Sequence, residues 1–136
     1  MVKYSLDSSI IIDFLRGQPN VTQRLYEVLD NSELYICSIV YYEVVRGFRY
    51  EERTRKLNEF QRLYENAKHL FFDKENFKVI DEAVKIYGQL RGNGLKIDEN
   101  DIYIAAISMV NDCTLVTANT RHFERLEGLN FVNWRD

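Results

Sequence analysis

The sequence contains little proline, glycine and cysteine. With one proline and six glycines among 136 residues, it has no stretch that resembles a long flexible linker. We therefore predict one domain over residues 1–136, large enough for a single hydrophobic core. The two cysteines, Cys37 and Cys113, have no metal-site spacing and lie in or beside apolar segments. We interpret them as reduced core thiols, which are typical of a cytoplasmic protein.

Long apolar runs are also absent. The run at residues 10–12 stops at Asp13, and no other stretch is long enough to span a bilayer, which excludes a membrane-spanning protein. The N-terminus has no apolar segment before a small-residue cleavage site, so we expect no signal peptide. Hydrophobic residues make up 46% of the chain and charged residues 29%, which is typical of a globular protein and excludes a disordered one.

Positive charge is scarce in the chain as a whole but concentrated in one segment. The net charge is −3, which taken alone argues against nucleic-acid binding. Residues 46–68, however, contain seven basic side chains and four acidic ones, and Arg46 and Arg49 begin this segment. Two interpretations remain open: a surface that binds phosphate groups, or a solvated helix face held together by salt bridges.

Apolar segments of strand length alternate with segments of helical periodicity. The predicted strands cover residues 2–6, 34–37, 69–72, 114–117 and 130–132. The predicted helices cover residues 10–15, 20–30, 38–48, 51–67, 73–90 and 99–110. On the long helix at 73–90, the predicted core-facing residues are Phe77, Ile80, Val84 and Tyr87. This alternation predicts an α/β fold with a mainly parallel, five-stranded sheet and helices on both faces.

Four acidic residues stand where a strand or loop is predicted to pass into a helix: Asp7, Glu43, Asp98 and Asp101. In an α/β sheet such places meet beyond the carboxyl ends of the strands, where ligands bind. Asp98 and Asp101 are three residues apart and can share one helix face. Carboxylates gathered at one place repel one another unless a cation lies among them, and Mg²⁺ and Mn²⁺ prefer oxygen ligands. The pattern predicts a metal-dependent hydrolase that acts on phosphodiesters.

Each acid also has a purely structural interpretation. An Asp after a strand often caps a helix, and the helix dipole favours carboxylates in a first turn. The repetition of the same arrangement three times favours a shared site. Of the two histidines, His69 is expected to be structural and His122 is a secondary candidate for substrate contact. The sequence has no Gly-rich phosphate loop, catalytic triad pattern or zinc-site spacing, so divalent ions would supply the chemistry.

Five segments, in this order, resemble the PIN-domain ribonucleases and, within them, the VapC toxins of type II toxin–antitoxin modules. They are YSLDSSIIIDFLRG (4–17), CSIVYYEVVRG (37–47), IDENDIYIAA (97–106), LVTANTRHF (115–123) and FVNW (131–134). Each segment alone is weak evidence for the family, but the five segments together are specific to it and span nearly the whole chain. The resemblance implies a three-layer PIN-like sandwich and endonucleolytic cleavage of RNA with Mg²⁺ or Mn²⁺.

The resemblance also assigns roles to the acidic residues. It implies that Asp7 and Asp101 are the principal metal ligands and that Glu43 orients metal-bound water. Ser8 occupies the small-hydroxyl position that often follows the first Asp. Asn119 stands where the family often has a fourth acid, so a second tightly bound ion is in question. Asp98 could compensate as a further ligand, and His122 replaces a residue that is frequently acidic.

The same resemblance implies two protein partners, a cognate VapB-type antitoxin that blocks the acidic pocket and a second copy of the chain in a homodimer. Exposed aromatic residues would suit such surfaces, and the candidates are Tyr41, Tyr42, Phe48 and Tyr50. Two alternatives stay open: a PIN-like nuclease in RNA processing or on DNA without an antitoxin, and a catalytically inactive interaction module. The presence of all three acids argues against the inactive module.

Overall fold

Strands and helices alternate along the chain, as the apolar patterning predicts. The computed structural model describes residues 1–29, 33–73 and 77–136, and within them the chain forms five strands and seven helices. In chain order they are β1 (Lys3–Leu6), α1 (Ser8–Leu15), α2 (Pro19–Leu29), β2 (Glu33–Cys37), α3 (Ser38–Tyr50), α4 (Thr54–Asn66), β3 (Lys68–Leu70), α5 (Lys78–Gly92), α6 (Glu99–Val110), β4 (Thr114–Val116), α7 (Thr120–Phe123) and β5 (Phe131–Val132).

The five strands form one sheet in the order β3-β2-β1-β4-β5. Every neighbouring pair is parallel; Tyr4 of β1, for example, lies opposite Leu34 on one side and Thr114 on the other. Right-handed crossovers place the connections from β1 to β3 on one face and the connections from β3 to β5 on the other. The predicted sheet with helices on both faces is confirmed.

The chain changes direction across the sheet between β1 and β4. From β1 it proceeds to β2 and β3 on one side, and from β4 it proceeds to β5 on the other. Such a switch point opens a crevice beyond the carboxyl ends of the two strands, where α/β proteins bind ligands. Asp7 follows β1 and Thr117 follows β4, so both residues lie at the mouth of this crevice.

Several predicted helix boundaries were wrong for identifiable reasons. The helix predicted at 51–67 begins only at Thr54, because Glu52 has a φ of 55° and ends α3 in a turn. The helix predicted at 73–90 begins at Lys78, because Phe77 also has a φ of 55°. Residues 74–76, and Asp30 at the end of the second predicted helix, lie outside the described residues. The short helix α7 was not predicted.

The core-facing residues predicted for α5 were also wrong in part. Val84 is 63% exposed and Tyr87 51% exposed, and Phe77 lies exposed just before the helix. The residues of α5 that enter the core are Val79, Ala83, Ile86 and Leu90. Both sets have helical spacing, so periodicity could not decide which set faces the sheet. The outward set remains as an apolar surface.

A salt bridge joins the C-terminal segment to α1. Arg135 donates two hydrogen bonds to the buried carboxylate of Asp13, over 2.5 Å from Nε and 2.7 Å from Nη2. Asn20 donates a further bond of 2.7 Å to the backbone oxygen of Arg135. Beneath this contact Trp134 is fully buried and packs edge-on against Tyr4. Trp134 is therefore part of the hydrophobic core.

The hydrophobic core fills the space between the sheet and its helices. Cys37 and Cys113 are both buried free thiols, as predicted. Within the described ranges, none of the helices combines the length and the apolar character needed to cross a membrane.

Candidate functional site

Asp7 is a buried carboxyl group at the carboxyl end of the central strand. Its side chain is 1% exposed, and its Oδ2 accepts hydrogen bonds from Thr117 Oγ1 at 2.8 Å and Ser9 Oγ at 3.0 Å. Asp7 occupies the N-cap position of α1, but its side chain makes no capping bond. Burial raises the pKa of Asp7, the charge of Asp101 acts in the same direction, and the two hydroxyl donors oppose the shift. The helix-capping interpretation is therefore wrong for Asp7.

Ser9 and Thr117 contribute to this site, although the sequence did not single them out. Thr117 is fully buried, and its hydroxyl accepts the backbone N–H of Asn119 at 3.0 Å while it donates to Asp7. Ser9 Oγ accepts the backbone N–H of Ala118 at 3.0 Å while it donates to Asp7. Only the strand order could have identified Thr117, because β4 lies beside β1 and thereby places Thr117 next to Asp7.

Glu43 projects from α3 toward the same region. Its Oε1 is buried and has no hydrogen-bond partner among the described residues. Burial raises the pKa of Glu43, and the charges of Asp7 and Asp101 raise it further, while Ser8 and Asn100 lower it. A buried acceptor without a partner costs free energy, so its retention points to a ligand. Ser8 thus acts on Glu43, and Asn100 is a neighbour that sequence reasoning missed.

Asp101 lies in the first turn of α6, where it is 8% exposed. His122 of α7 contacts it, with Nδ1 at 3.0 Å from Oδ2, so this nitrogen carries the proton in the neutral ring. Burial raises the pKa of Asp101, the contact with His122 lowers it, and the charge of Asp98 raises it. Asp98 is the exposed N-cap residue of α6. The structure therefore places Asp98, Asp101 and His122 together.

The remaining predicted site residues lie further out. Asn119 is exposed at the N-cap of α7, and only its backbone has a described hydrogen bond to the site. Arg46 and Arg49 are exposed on α3, the helix that carries Glu43. Arg46 lies over the ring of Tyr42, 4.9 Å from its centroid. These two arginines border the site and do not touch its acids in the described structure.

The three acids have the donor chemistry of a hard-cation site. Their oxygens suit Mg²⁺ or Mn²⁺, and each of the three pKa values is raised by burial and by a neighbouring acid. Across the described ranges, no three His, Cys, Asp or Glu side chains form a ready-made cage for a metal. Mg²⁺ rarely uses such a cage, because it keeps several waters and takes one or two carboxylates. The unpartnered Oε1 of Glu43 also fits a cation or its water, so the residues present fit the metal.

Comparison with known proteins shows the family of the chain. Residues 4–129 match the family model of the PIN domain. Ribonuclease VapC1 of Methanocaldococcus jannaschii is 33% identical over 125 residues, which cover 92% of this chain and 82% of that protein.

Solved structures are similar over almost the whole chain. VapBC2 from Rickettsia felis, bound to a DNA fragment from its promoter, has a TM-score of 0.88 at 24% identity and covers 98% of this chain and 99% of the other. VapBC-1 from nontypeable Haemophilus influenzae has a TM-score of 0.85 at 25% identity, with coverages of 99% and 100%. The chain belongs to the PIN-domain family, as a VapC-type member.

Proposed function

We propose that this protein is a metal-dependent endoribonuclease and the toxin of a type II toxin–antitoxin pair. The observation that carries the proposal is the group of three acids at one end of the sheet, the buried Asp7 and Asp101 and the partly buried Glu43, each with a pKa raised by burial. Ribonuclease VapC relatives at up to 33% identity support the choice of RNA as substrate. Residues with strongly perturbed pKa values in a crevice are typical of catalytic sites.

We assign the metal, Mg²⁺ or Mn²⁺, to Asp7 and Asp101, with Asp98 and Glu43 as further oxygen donors. When bound, the ion would activate water and offset charge on the phosphoryl group. Thr117 and Ser9 hold the Asp7 carboxylate in one orientation by donating to Oδ2. The unpartnered Oε1 of Glu43 would accept a hydrogen bond from the attacking water, and the raised pKa of Glu43 would favour transfer of the proton to it. His122 orients Asp101.

Cleavage of total RNA tests the proposed activity. The protein, freed of any copurified partner, is incubated with RNA in Mg²⁺, in Mn²⁺ and in EDTA. We expect discrete cuts with either ion and none in EDTA, and mapping the new ends identifies the target RNA. A folded protein that cuts no RNA with either metal would contradict the proposal and favour an inactive interaction module.

Metal binding should be measurable as a gain in stability. An ion that binds only the folded protein at 100 times its dissociation constant adds about 2.7 kcal/mol to the free energy of unfolding. We expect Mg²⁺ or Mn²⁺ to raise the Tm of the metal-free protein, measured by calorimetry. The gain should largely disappear in Asp7→Asn and Asp101→Asn.

The control for this measurement is Asp112→Asn. Asp112 is exposed before β4, at the opposite end of the strands, and its φ of 55° is one that Asn tolerates. This variant removes the same charge but should keep the metal-induced gain. Equal gains in all four proteins would place the ion elsewhere.

We place part of the RNA-binding surface on the outer side of α3. Tyr42 is 55% exposed and Tyr50 84% exposed, and Arg46 and Arg49 lie between them on the helix. Arginines neutralise phosphates, and exposed aromatic rings stack on unpaired bases. The sequence analysis expected four exposed aromatics for protein partners; that exposure is wrong for Tyr41, which is partly buried, and for Phe48, which is buried, so neither can stack on RNA.

Changing both Arg46 and Arg49 to Ala should weaken RNA binding and reduce its salt dependence. If each arginine contacts one phosphate of single-stranded RNA, the slope of log K against log salt should fall by about 1.4. Fluorescence anisotropy with the inactive Asp7→Asn protein measures this slope. The control changes Arg24 and Lys68 to Ala, which removes two positive charges from other elements and should leave the slope unchanged. A slope unaffected in both proteins would remove α3 from the RNA surface.

We assign the antitoxin to a groove of about 940 Å³ between α1, α2 and α4. Apolar side chains line part of it, including the exposed Tyr26 and Leu29, and its charged lining consists of three basic residues, Arg16, Lys56 and Arg62, and one acid, Glu59. An amphipathic segment with acidic residues fits such a lining. An arginine from the same partner would pair with the site carboxylates.

We also propose that the protein forms a homodimer and acts in the cytoplasm. The two buried free thiols, Cys37 and Cys113, suit a reducing compartment.

A neighbouring short gene that encodes a DNA-binding protein would support the toxin assignment over a nuclease of RNA processing.

A further inference from the structure

Asn100 is the one amide in a run of acids at the start of α6. Residues 98, 99 and 101 are Asp, Glu and Asp, and Asn100 stands between them in the first turn of the helix. The helix dipole favours carboxylates in a first turn, so another acid at position 100 would serve the start of the helix at least as well. Asparagine also has a lower helix propensity than glutamate. The amide therefore points to a contact outside α6.

That contact is with Glu43 on the neighbouring helix. α3 packs against α6, and Asn100 forms a side-chain hydrogen bond with Glu43 that opposes the rise in the pKa of Glu43. An ionised carboxylate only accepts hydrogen bonds, so the NH2 group of Asn100 is the donor. Ser8, the first residue of α1, donates a second bond to the same carboxylate. Two donors from different helices therefore restrain the Glu43 side chain.

The restraint explains how one oxygen of Glu43 stays without a partner. Oε1 is buried and accepts no hydrogen bond from the described residues. A buried acceptor without a partner costs free energy. The residue as a whole is only partly buried, so a freely rotating side chain could bring Oε1 to solvent. Asn100 and Ser8 oppose that rotation and keep Oε1 inside the crevice.

We propose that Asn100 is a positioning residue, which holds Glu43 so that Oε1 is directed toward the attacking water. Asn100 directly precedes Asp101, so one turn of α6 carries both a proposed metal ligand and the group that orients Glu43. A single rigid element thereby sets the two carboxylates relative to each other, and such positioning strongly affects reaction rates. Asn100 acts through Glu43 and does not touch the RNA. This inference rests on the proposed ribonuclease function and adds a residue to it.

Urea denaturation in EDTA tests the contact without nuclease activity. The free energy of unfolding is measured for wild type, Asn100→Ala, Glu43→Ala and the double variant. We expect Asn100→Ala to raise the unfolding equilibrium constant about tenfold in wild type and less than about twofold in Glu43→Ala, because a hydrogen bond to a carboxylate is lost only in the first case. Residues that do not interact give additive changes, so additivity would overturn the contact.

Cleavage of a defined RNA tests the role in the reaction. Asn100→Ala should lower kcat about 10–100-fold, as loss of a group that orients a site residue does. KM should change less than about twofold, because the proposed RNA contacts on α3 remain. Asn100→Asp keeps the size of the side chain and suits a helix start, but it lacks the NH2 donor and adds a charge beside Glu43. Its kcat should fall at least as far.

Asn111→Ala is the matched control. It removes an amide from the other end of α6, where Asn111 Nδ2 donates to the backbone oxygen of Ile107 at 2.8 Å, and it should keep the wild-type kcat. Metal should still raise the Tm of Asn100→Ala, because Asp7 and Asp101 keep their carboxylates. Loss of that gain would overturn the proposal, since Asn100 would then act on the metal site directly.

Two further kinetic results would overturn the positioning role. A wild-type kcat in Asn100→Asp would show that only the start of the helix matters. An equal fall in kcat when Asn100→Ala is added to Glu43→Ala would show that Asn100 acts without Glu43. A wild type that cuts no RNA would overturn the proposed function, and the role of Asn100 in cleavage with it, while the coupling measured in EDTA would be unaffected.

Discussion

Asp7→Asn and Asp101→Asn should each lower the rate of RNA cleavage by more than about 100-fold. Loss of a residue that only supports a metal ligand costs 10 to 100-fold in affinity or activity, and loss of a ligand should cost more. Asn keeps the size of the side chain and can accept the hydrogen bonds that Asp7 receives from Thr117 and Ser9, so the fold should persist. The initial rate of cleavage of a defined RNA in Mg²⁺ measures the loss.

Two further variants make this result interpretable. Asp112→Asn should cleave at the wild-type rate, because its carboxylate lies before β4 and far from the acids. Thr117→Val should lower the rate less than Asp7→Asn, because it removes one hydrogen bond to Oδ2 and leaves the charge. Cleavage by Asp7→Asn at a rate near that of Asp112→Asn would show that Asp7 has no part in the reaction.

Two buried aspartates should respond to the same substitution with opposite changes in stability. Without metal, Asp7→Asn should increase the free energy of unfolding by about 0.5–2 kcal/mol, because it removes a buried charge that other acids repel. Asp13→Asn should decrease it by about 1.5–3 kcal/mol, because it breaks a hydrogen-bonded pair with Arg135. Each kcal/mol shifts the Tm by roughly 2–8 °C. Thermal unfolding in EDTA measures both changes.

The burial of these acids also determines whether the protein gains or loses stability as the pH falls. Asp7, Glu43 and Asp101 have raised pKa values, so the folded state binds their protons more tightly than the unfolded state does. These three groups should therefore add stability to the metal-free protein as the pH falls through their raised pKa values toward the ordinary carboxyl pKa of about 4. Asp7→Asn should show a smaller gain over that range. A Tm that falls equally in both proteins from pH 8 to pH 5 would contradict the assignment of a destabilising charge to Asp7.

Local patterning predicted the order of the elements except α7, and it marked four acids, Asp7, Glu43, Asp98 and Asp101, as candidates for one site. Asp7 follows a strand, Asp101 lies in the first turn of a helix and Glu43 lies one turn after a helix start. Parallel strands bring their carboxyl ends to one edge of the sheet, which predicts that these three side chains lie close together. Thr117 was missed because its role depends on β4 lying beside β1, and strand order is a non-local property. Ser9 was missed because the resemblance marked Ser8, the residue next to Asp7, as the hydroxyl position of the site, whereas Ser9 is the residue that donates to Asp7.

The orientation of α5 shows a different limit of sequence reasoning. Ile80, Val84 and Tyr87 have the same helical spacing as Ala83, Ile86 and Leu90, and only the packing against α6 decides between the two sets. The positive φ values of Glu52 and Phe77 were also not expected, because neither residue type favours that conformation. The turn at Glu52 follows the end of α3, and Phe77 delays the start of α5, although helix propensity alone predicted continuous helices there.

The central place of β1 has a consequence for the protein's own synthesis. A chain is made from its N-terminus, so Asp7 leaves the ribosome early, but its partner Thr117 follows 110 residues later. At 5–20 residues per second this delay is roughly 5–20 s. Until β4 emerges, β1 lacks its second neighbour and the Asp7 carboxyl lacks its strongest donor. A nascent chain therefore carries no assembled site until β4 has left the ribosome.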